Sequence, residues 1–166
     1  QARLLKRHIE NLYLCLDQDK AGQEANLRAI QICRELEIPT KVIVFSTAKD
    51  CDELLLTQGK VAFEKAVTEA IPAIRYELDC MLQPMPQGAE EKQRLLEKIL
   101  PYLRSLQSPI LKKEYTQYVC DKIQVAREIV ESALFEKVMP GKHHFSRMQN
   151  PKLNHSKVDD AQRKII

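Results

Sequence analysis

The chain has 166 residues, of which 44% are hydrophobic and 30% charged, with a net charge of +3. This is ordinary for a globular chain of one domain or a little more, and no run approaches the roughly 18 apolar residues of a membrane span. Five cysteines (Cys15, Cys33, Cys51, Cys80 and Cys120) are odd in number and widely spaced. They read as free thiols in a reducing compartment, the cytoplasm by default, and argue against a disulfide framework or a zinc ribbon.

Residues 2–9 are polar and helical in character, with no secretory pattern. The chain does not begin with Met and is expected to be part of a longer protein. Leu12-Tyr13-Leu14-Cys15-Leu16 predicts a first strand at 11–16. A helix over 20–37 follows, with Ala21, Ala25, Ala29, Ile32, Cys33 and Leu36 forming one apolar face. Pro39 blocks its continuation, and Val42-Ile43-Val44-Phe45 predicts a second strand at 41–45. A short helix from Cys51 to Gln58 stops at Gly59. Residues 60–82 read as helical again, with a break or kink at Pro72 and with Val61, Phe63, Ala66, Val67, Ala70 and Ile74 facing inward.

Composition changes at Gln83-Pro84-Met85-Pro86-Gln87-Gly88, which marks a boundary. Helices are expected beyond it at 89–107, 109–122 and 125–137, the second capped by Ser108 and opened by Pro109. From Pro140 the periodicity is lost, and His143, His144 and His155 read as tail residues rather than metal ligands. Charge is uneven along the chain: −2 over residues 1–80, zero over 81–136 and +5 over 137–166. A basic end of this kind suits a solvated linker or contact with nucleic acid. Tyr115 and Tyr118, three residues apart on a helix, are expected in the core rather than stacked on nucleobases. Two strands are too few for a stable isolated sheet, so further sheet partners are expected upstream of Gln1, or packing of the helices replaces them.

The chemistry is concentrated in two acidic pairs, Asp17-Gln18-Asp19 and Asp50-Cys51-Asp52, each just after an apolar strand. A strand–helix–strand unit closes right-handed with its strands parallel, so both pairs emerge at one carboxyl edge of the sheet, where open α/β folds bind ligands. Adjacent strands lie about 4.8 Å apart. Asp19 and Asp50 each have a structural explanation as helix caps, with Glu53 completing a capping box around Asp50. Asp17 and Asp52 are surplus to that need. The other reading is a site for hard divalent cations, which take oxygen ligands and serve phosphoryl chemistry. Composition and spacing leave both open.

The segment Leu16-Asp17-Gln18-Asp19-Lys20-Ala21-Gly22 resembles the Asp-Gly-Asp-x-Ala-Gly segment of the TOPRIM fold in bacterial DnaG-type primases. Lys49-Asp50-Cys51-Asp52-Glu53 and Gly59-Lys60-Val61-Ala62-Phe63 resemble the Lys-Asp-Pro-Asp-Glu and Gly-Lys-x-Ala-Phe segments that follow in those enzymes. The stretch from 89 to 136, with Lys113-Glu114-Tyr115, looks like the end of the primase catalytic core, so the resemblance covers about residues 3–136. It implies an α/β unit followed by an all-α region: a partial TOPRIM-like parallel sheet unit at 1–82, a linker at 83–88, a helical subdomain at 89–137 and a flexible tail at 138–166.

The resemblance further implies RNA primer synthesis on single-stranded DNA from ribonucleoside triphosphates. Asp17, Asp19, Asp50 and Asp52 would hold Mg²⁺ or Mn²⁺, Asp17 and Asp19 being catalytic, and Lys20 and Lys49 would meet substrate phosphates. The replicative helicase is expected to be engaged through a C-terminal domain outside this sequence, and no membrane is involved. Gln18 and Cys51 depart from the family's Gly and Pro. The family's upstream glutamate, basic DNA-binding subdomain and N-terminal zinc-binding domain are absent here. Zinc is therefore expected only in that missing domain, and this piece is not expected to prime alone. Another TOPRIM nuclease or topoisomerase relative, or a non-enzymatic helical interaction module, is the alternative.

Overall fold

The computed structural model describes residues 8–45 and 47–135. The helix expected at 2–9, except its last two residues, and the tail with His143, His144 and His155 lie outside the described residues. The first apolar run forms β1 (Leu12–Leu14) and the second forms β2 (Thr40–Val42). They pair in parallel, with Leu12 opposite Thr40 and Leu14 opposite Val42. Both ladders are shorter than the apolar runs, although Ile43 still donates its amide to the Leu14 carbonyl at 2.9 Å.

Between the strands lies α1 (Lys20–Glu35), which buries Gly22, Asn26, Ile30 and Cys33. This corrects the apolar face expected from Ala21, Ala25, Ala29 and Ile32, since Ile32 is 53% exposed. Two contacts turn the helix by about one residue. Gly22 lies against the backbone of Asp17, and Asn26 donates to the Tyr76 hydroxyl at 3.3 Å. The helix closes with Glu37 at φ 53°, and the Ile38 amide returns to the Cys33 carbonyl at 2.8 Å, before Pro39.

The segment from 51 to 82 departs most from expectation. Up to Gly59 the expectation holds: α2 (Cys51–Thr68) is two helical stretches that meet across a kink at Gly59, which is non-helical with a φ of 77° and a ψ of −178°. Val61, expected inside, is 78% exposed. Residues 71–72 are not helical: Ile71–Pro72 forms β3, antiparallel to β2 with Val42 opposite Ile71. The sheet is therefore mixed, in the order β1-β2-β3, and its third strand comes from within the chain. Pro72 fits this place because an edge strand does not need every amide as a donor. It then precedes α3 (Ala73–Met81).

β2 is covered on both faces. Val42 packs with Ile30 and Tyr76 between α1 and α3, while Ile43 and Phe45 pack with Leu54 of α2. Beyond the loop at 83–88 come α4 (Ala89–Ser105), α5 (Pro109–Ile123) and α6 (Arg127–Phe135). Ser108 caps α5 through the Leu111 amide at 3.4 Å. The largest apolar cluster joins these helices to α3: Ile99, Leu103 and Val119 are fully buried together with Leu78 and Leu82. Burying a side chain of this size contributes about 1.5–3 kcal/mol.

A polar joint ties the layers together. Glu77 of α3, only 11% exposed along its side chain, pairs with Arg34 of α1 and accepts the Tyr102 hydroxyl of α4 at 2.6 Å. The result is an α/β layer that continues into an all-α region.

Candidate functional site

After Leu14 the chain leaves the sheet and turns directly into α1. Asp19 is the cap: its backbone is extended, and its carboxylate accepts the Gly22 amide at 2.7 Å. A Cβ built on Gly22 would stand 2.1 Å from the Asp17 carbonyl oxygen. Only glycine permits the first turn of α1 to lie against the loop that carries Asp17. Gln18, in the position of the family's Gly, is not among the described residues with positive φ, and its side-chain amide donates to the Leu16 carbonyl at 3.0 Å.

The second loop repeats the plan. Asp50 caps α2 by accepting the Glu53 amide at 2.7 Å. Glu53 reaches back one residue further than a capping box requires, accepting the Lys49 amide at 2.7 Å instead of that of Asp50. The Lys49 ammonium lies 4.0 Å from the Asp50 carboxylate. The two loops are joined directly, since the Gln18 amide donates to the Lys49 carbonyl at 2.8 Å. Parallel pairing therefore brings both acidic segments to one edge of the sheet and fixes them side by side.

The capping bonds divide the four aspartates into two kinds. Asp19 and Asp50 satisfy helix amides. Asp17 and Asp52 are exposed, and no hydrogen bond or ion pair among the described residues engages their side chains. Among those residues no group of three His, Cys, Asp or Glu side chains gathers closely enough to hold a metal ion. Lys20 and Lys49 are exposed at the starts of the two helices. Beneath the loops, burial and then the adjoining Cys51 push the Cys15 thiol up to about 11.

Tyr115 is buried, and Tyr118 donates its hydroxyl to Asp79 while Arg75 and Lys122 lie over its ring at 5.2 and 5.5 Å. Neither ring is presented as an open stacking surface. The sequence reading missed the part of Gly22 in the site and the Arg34–Glu77–Tyr102 joint that holds α1. Gly22 carried a signal, standing three residues after a cap, but its reason is a contact with a backbone five residues earlier.

A family model described as Toprim-like matches residues 1–55, and one described as the DnaB-helicase binding domain of primase matches residues 86–128. The second match lies on α4 and α5, within the chain, whereas the sequence reading put helicase engagement in a domain beyond it. A DNA primase of Treponema pallidum is 29% identical over 118 residues, 70% of this chain and 20% of the relative. A DNA primase of Clostridium acetobutylicum is 27% identical over 149 residues, covering 89% of this chain and 25% of the relative. The chain thus spans a fifth to a quarter of the length of these relatives. The solved structure of a DnaG primase catalytic domain bound to single-stranded DNA superimposes with a TM-score of 0.59 at 22% identity, over 77% of this chain and 42% of that one. Two family matches in this order, the primase relatives and the shared fold make the chain similar, over most of its length, to part of the bacterial DNA primases.

Proposed function

We propose that the chain is the part of a DNA primase that presents acidic loops to metal and nucleotide during RNA primer synthesis on single-stranded DNA. The observation that carries this reading is the Gln18–Lys49 backbone bond, which sets side by side two loops whose Asp17 and Asp52 are not consumed by capping. The four aspartates form an all-oxygen donor set, which fits Mg²⁺ or Mn²⁺. Such ions are commonly held by one or two carboxylates and completed by phosphates and water, so a cage of three side chains is not required. When bound, the ion neutralises charge on the triphosphate during nucleotidyl transfer.

The chain's own residues position and attract. Asp17, Asp19, Asp50 and Asp52 hold the cation; Lys20 and Lys49, at the two helix starts, draw the phosphates of a ribonucleoside triphosphate. The helicase-binding description on 86–128 supports contact of α4 and α5 with the replicative helicase. A cytoplasmic place in replication accords with this, and no described helix is long and apolar enough to cross a membrane.

The test is primer synthesis by the full-length protein, comparing wild type with Asp17→Asn/Asp19→Asn. Asn caps a helix about as well as Asp, so folding is retained while charge is removed. Synthesis is expected to fall by at least about 100-fold, the upper end of what loss of a mere supporting group costs a metal site. Undiminished synthesis would return both residues to structural caps.

A further inference from the structure

A cleft of about 760 Å³ lies where the junction of β3 and α3 meets the outward face of α5. Pro72 and Arg75 line one side, and Ile110, Lys113, Glu114 and Tyr118 line the other. No residue of the acidic loops belongs to it. The match over residues 86–128 takes in the α5 wall, whereas Pro72 and Arg75 fall outside both family matches.

A lone apolar side chain at the surface is ordinary. Ile110 is different because, at 77% exposed, it shares a concave surface with exposed Pro72 and the Tyr118 ring. The polar groups of the cleft are sorted by what already holds them. Arg75 lies 3.8 Å from Asp79, and Arg127 pairs with Glu131 at 2.7 Å. Gln117 donates to Asp121 at 2.7 Å. Lys113 and Glu114 are both exposed and have no hydrogen bond or ion pair among the described residues. An uncommitted cation and an uncommitted anion thus stand side by side in the wall of an apolar hollow. With both arginines already paired, no cluster of free cations remains to hold a small anion.

We propose that this cleft receives a helical segment of the replicative helicase. One apolar side chain of that segment enters beside Ile110, and acidic and basic side chains flanking it meet Lys113 and Glu114. Grooves of this kind take the apolar face of an amphipathic helix. An added strand is disfavoured, since β3 has two residues and Pro72 supplies no amide donor. The partner's identity rests on the helicase reading above; the surface, its chemistry and its extension onto α3 go beyond that reading.

The experiment measures binding of the full-length protein to the full-length helicase of the same organism by surface plasmon resonance. The variants are Ile110→Asp, Lys113→Glu and, on α4 outside the cleft, Glu97→Lys. All three side chains are exposed, so folding is retained, which circular dichroism checks. Primer synthesis on free single-stranded DNA is expected to be unchanged in each. Ile110→Asp is expected to weaken helicase binding about 10-fold or more, as loss of an anchor residue does. Lys113→Glu is expected to slow association in a salt-dependent manner, and Glu97→Lys to bind as wild type does. Wild-type binding that Ile110→Asp and Lys113→Glu both keep, or that Glu97→Lys weakens equally, overturns the proposal and leaves the helicase reading standing. Absence of binding by the wild type overturns both. Loss of self-association in place of helicase binding, read by sedimentation, gives the cleft to a second copy and overturns the proposal.

Discussion

At the scale of single residues, the site is built from local rules plus one long-range demand. Capping by Asp19 and Asp50 was legible in the sequence because a cap bonds within three residues of itself. What the surplus Asp17 and Asp52 face was not legible, since that depends on which loop lies opposite. Gly22 shows the long-range demand most sharply, because an added methyl would meet a backbone oxygen at 2.1 Å and backbone cannot rotate away. Gly22→Ala is expected to destabilise the protein by about 1–3 kcal/mol, the usual cost of overpacking. Urea denaturation of the two proteins measures it; an unchanged midpoint would mean that the loop at Asp17 yields freely.

At the scale of elements, α1, α4 and α5 are readable from periodicity and end signals, as are the start of α2 and its kink at Gly59, whereas β3 is not, for a physical reason. A strand of two residues has no period to detect, and Ile71–Pro72 becomes one only because β2 offers it a partner. The break expected at Pro72 is there, as β3, and the helix stop expected earlier is the kink at Gly59. That residue has a φ of 77° with an extended ψ, a region essentially confined to glycine, yet nothing lies within 4 Å of where its Cβ would be. Gly59→Ala therefore tests conformational strain without steric contact. A loss of about 1–3 kcal/mol is expected, read as a lower thermal or urea midpoint. The apolar face of α1 was likewise off by about a residue, since helix propensity and spacing carry no information on Asn26 meeting Tyr76 fifty residues away.

At the scale of the whole molecule, α3 belongs to two cores at once. Tyr76 packs with Ile30 and Val42 under the sheet, Leu78 packs among α4, α5 and α6, and Glu77 lies between them in the polar joint. The boundary legible at 83–88 marks a change of composition, but the apolar cluster continues across it. Unfolding of the sheet layer and the helices is therefore expected to coincide, with far-ultraviolet circular dichroism and tyrosine fluorescence giving one midpoint. Two separated transitions would show the layers to be independent. The junction between the acidic loops has a different kind of robustness. The Gln18–Lys49 bond is made by main-chain atoms alone, so it survives almost any exchange of side chains. Among replacements at position 18, only proline abolishes the donor itself. Gln18→Pro is accordingly expected to cost primer synthesis while leaving all four aspartates in place. The bond asks of residue 18 only its amide, so Gln serves there as well as any residue but proline. A geometry written in the backbone is thereby uncoupled from the identity of the side chains that ride on it.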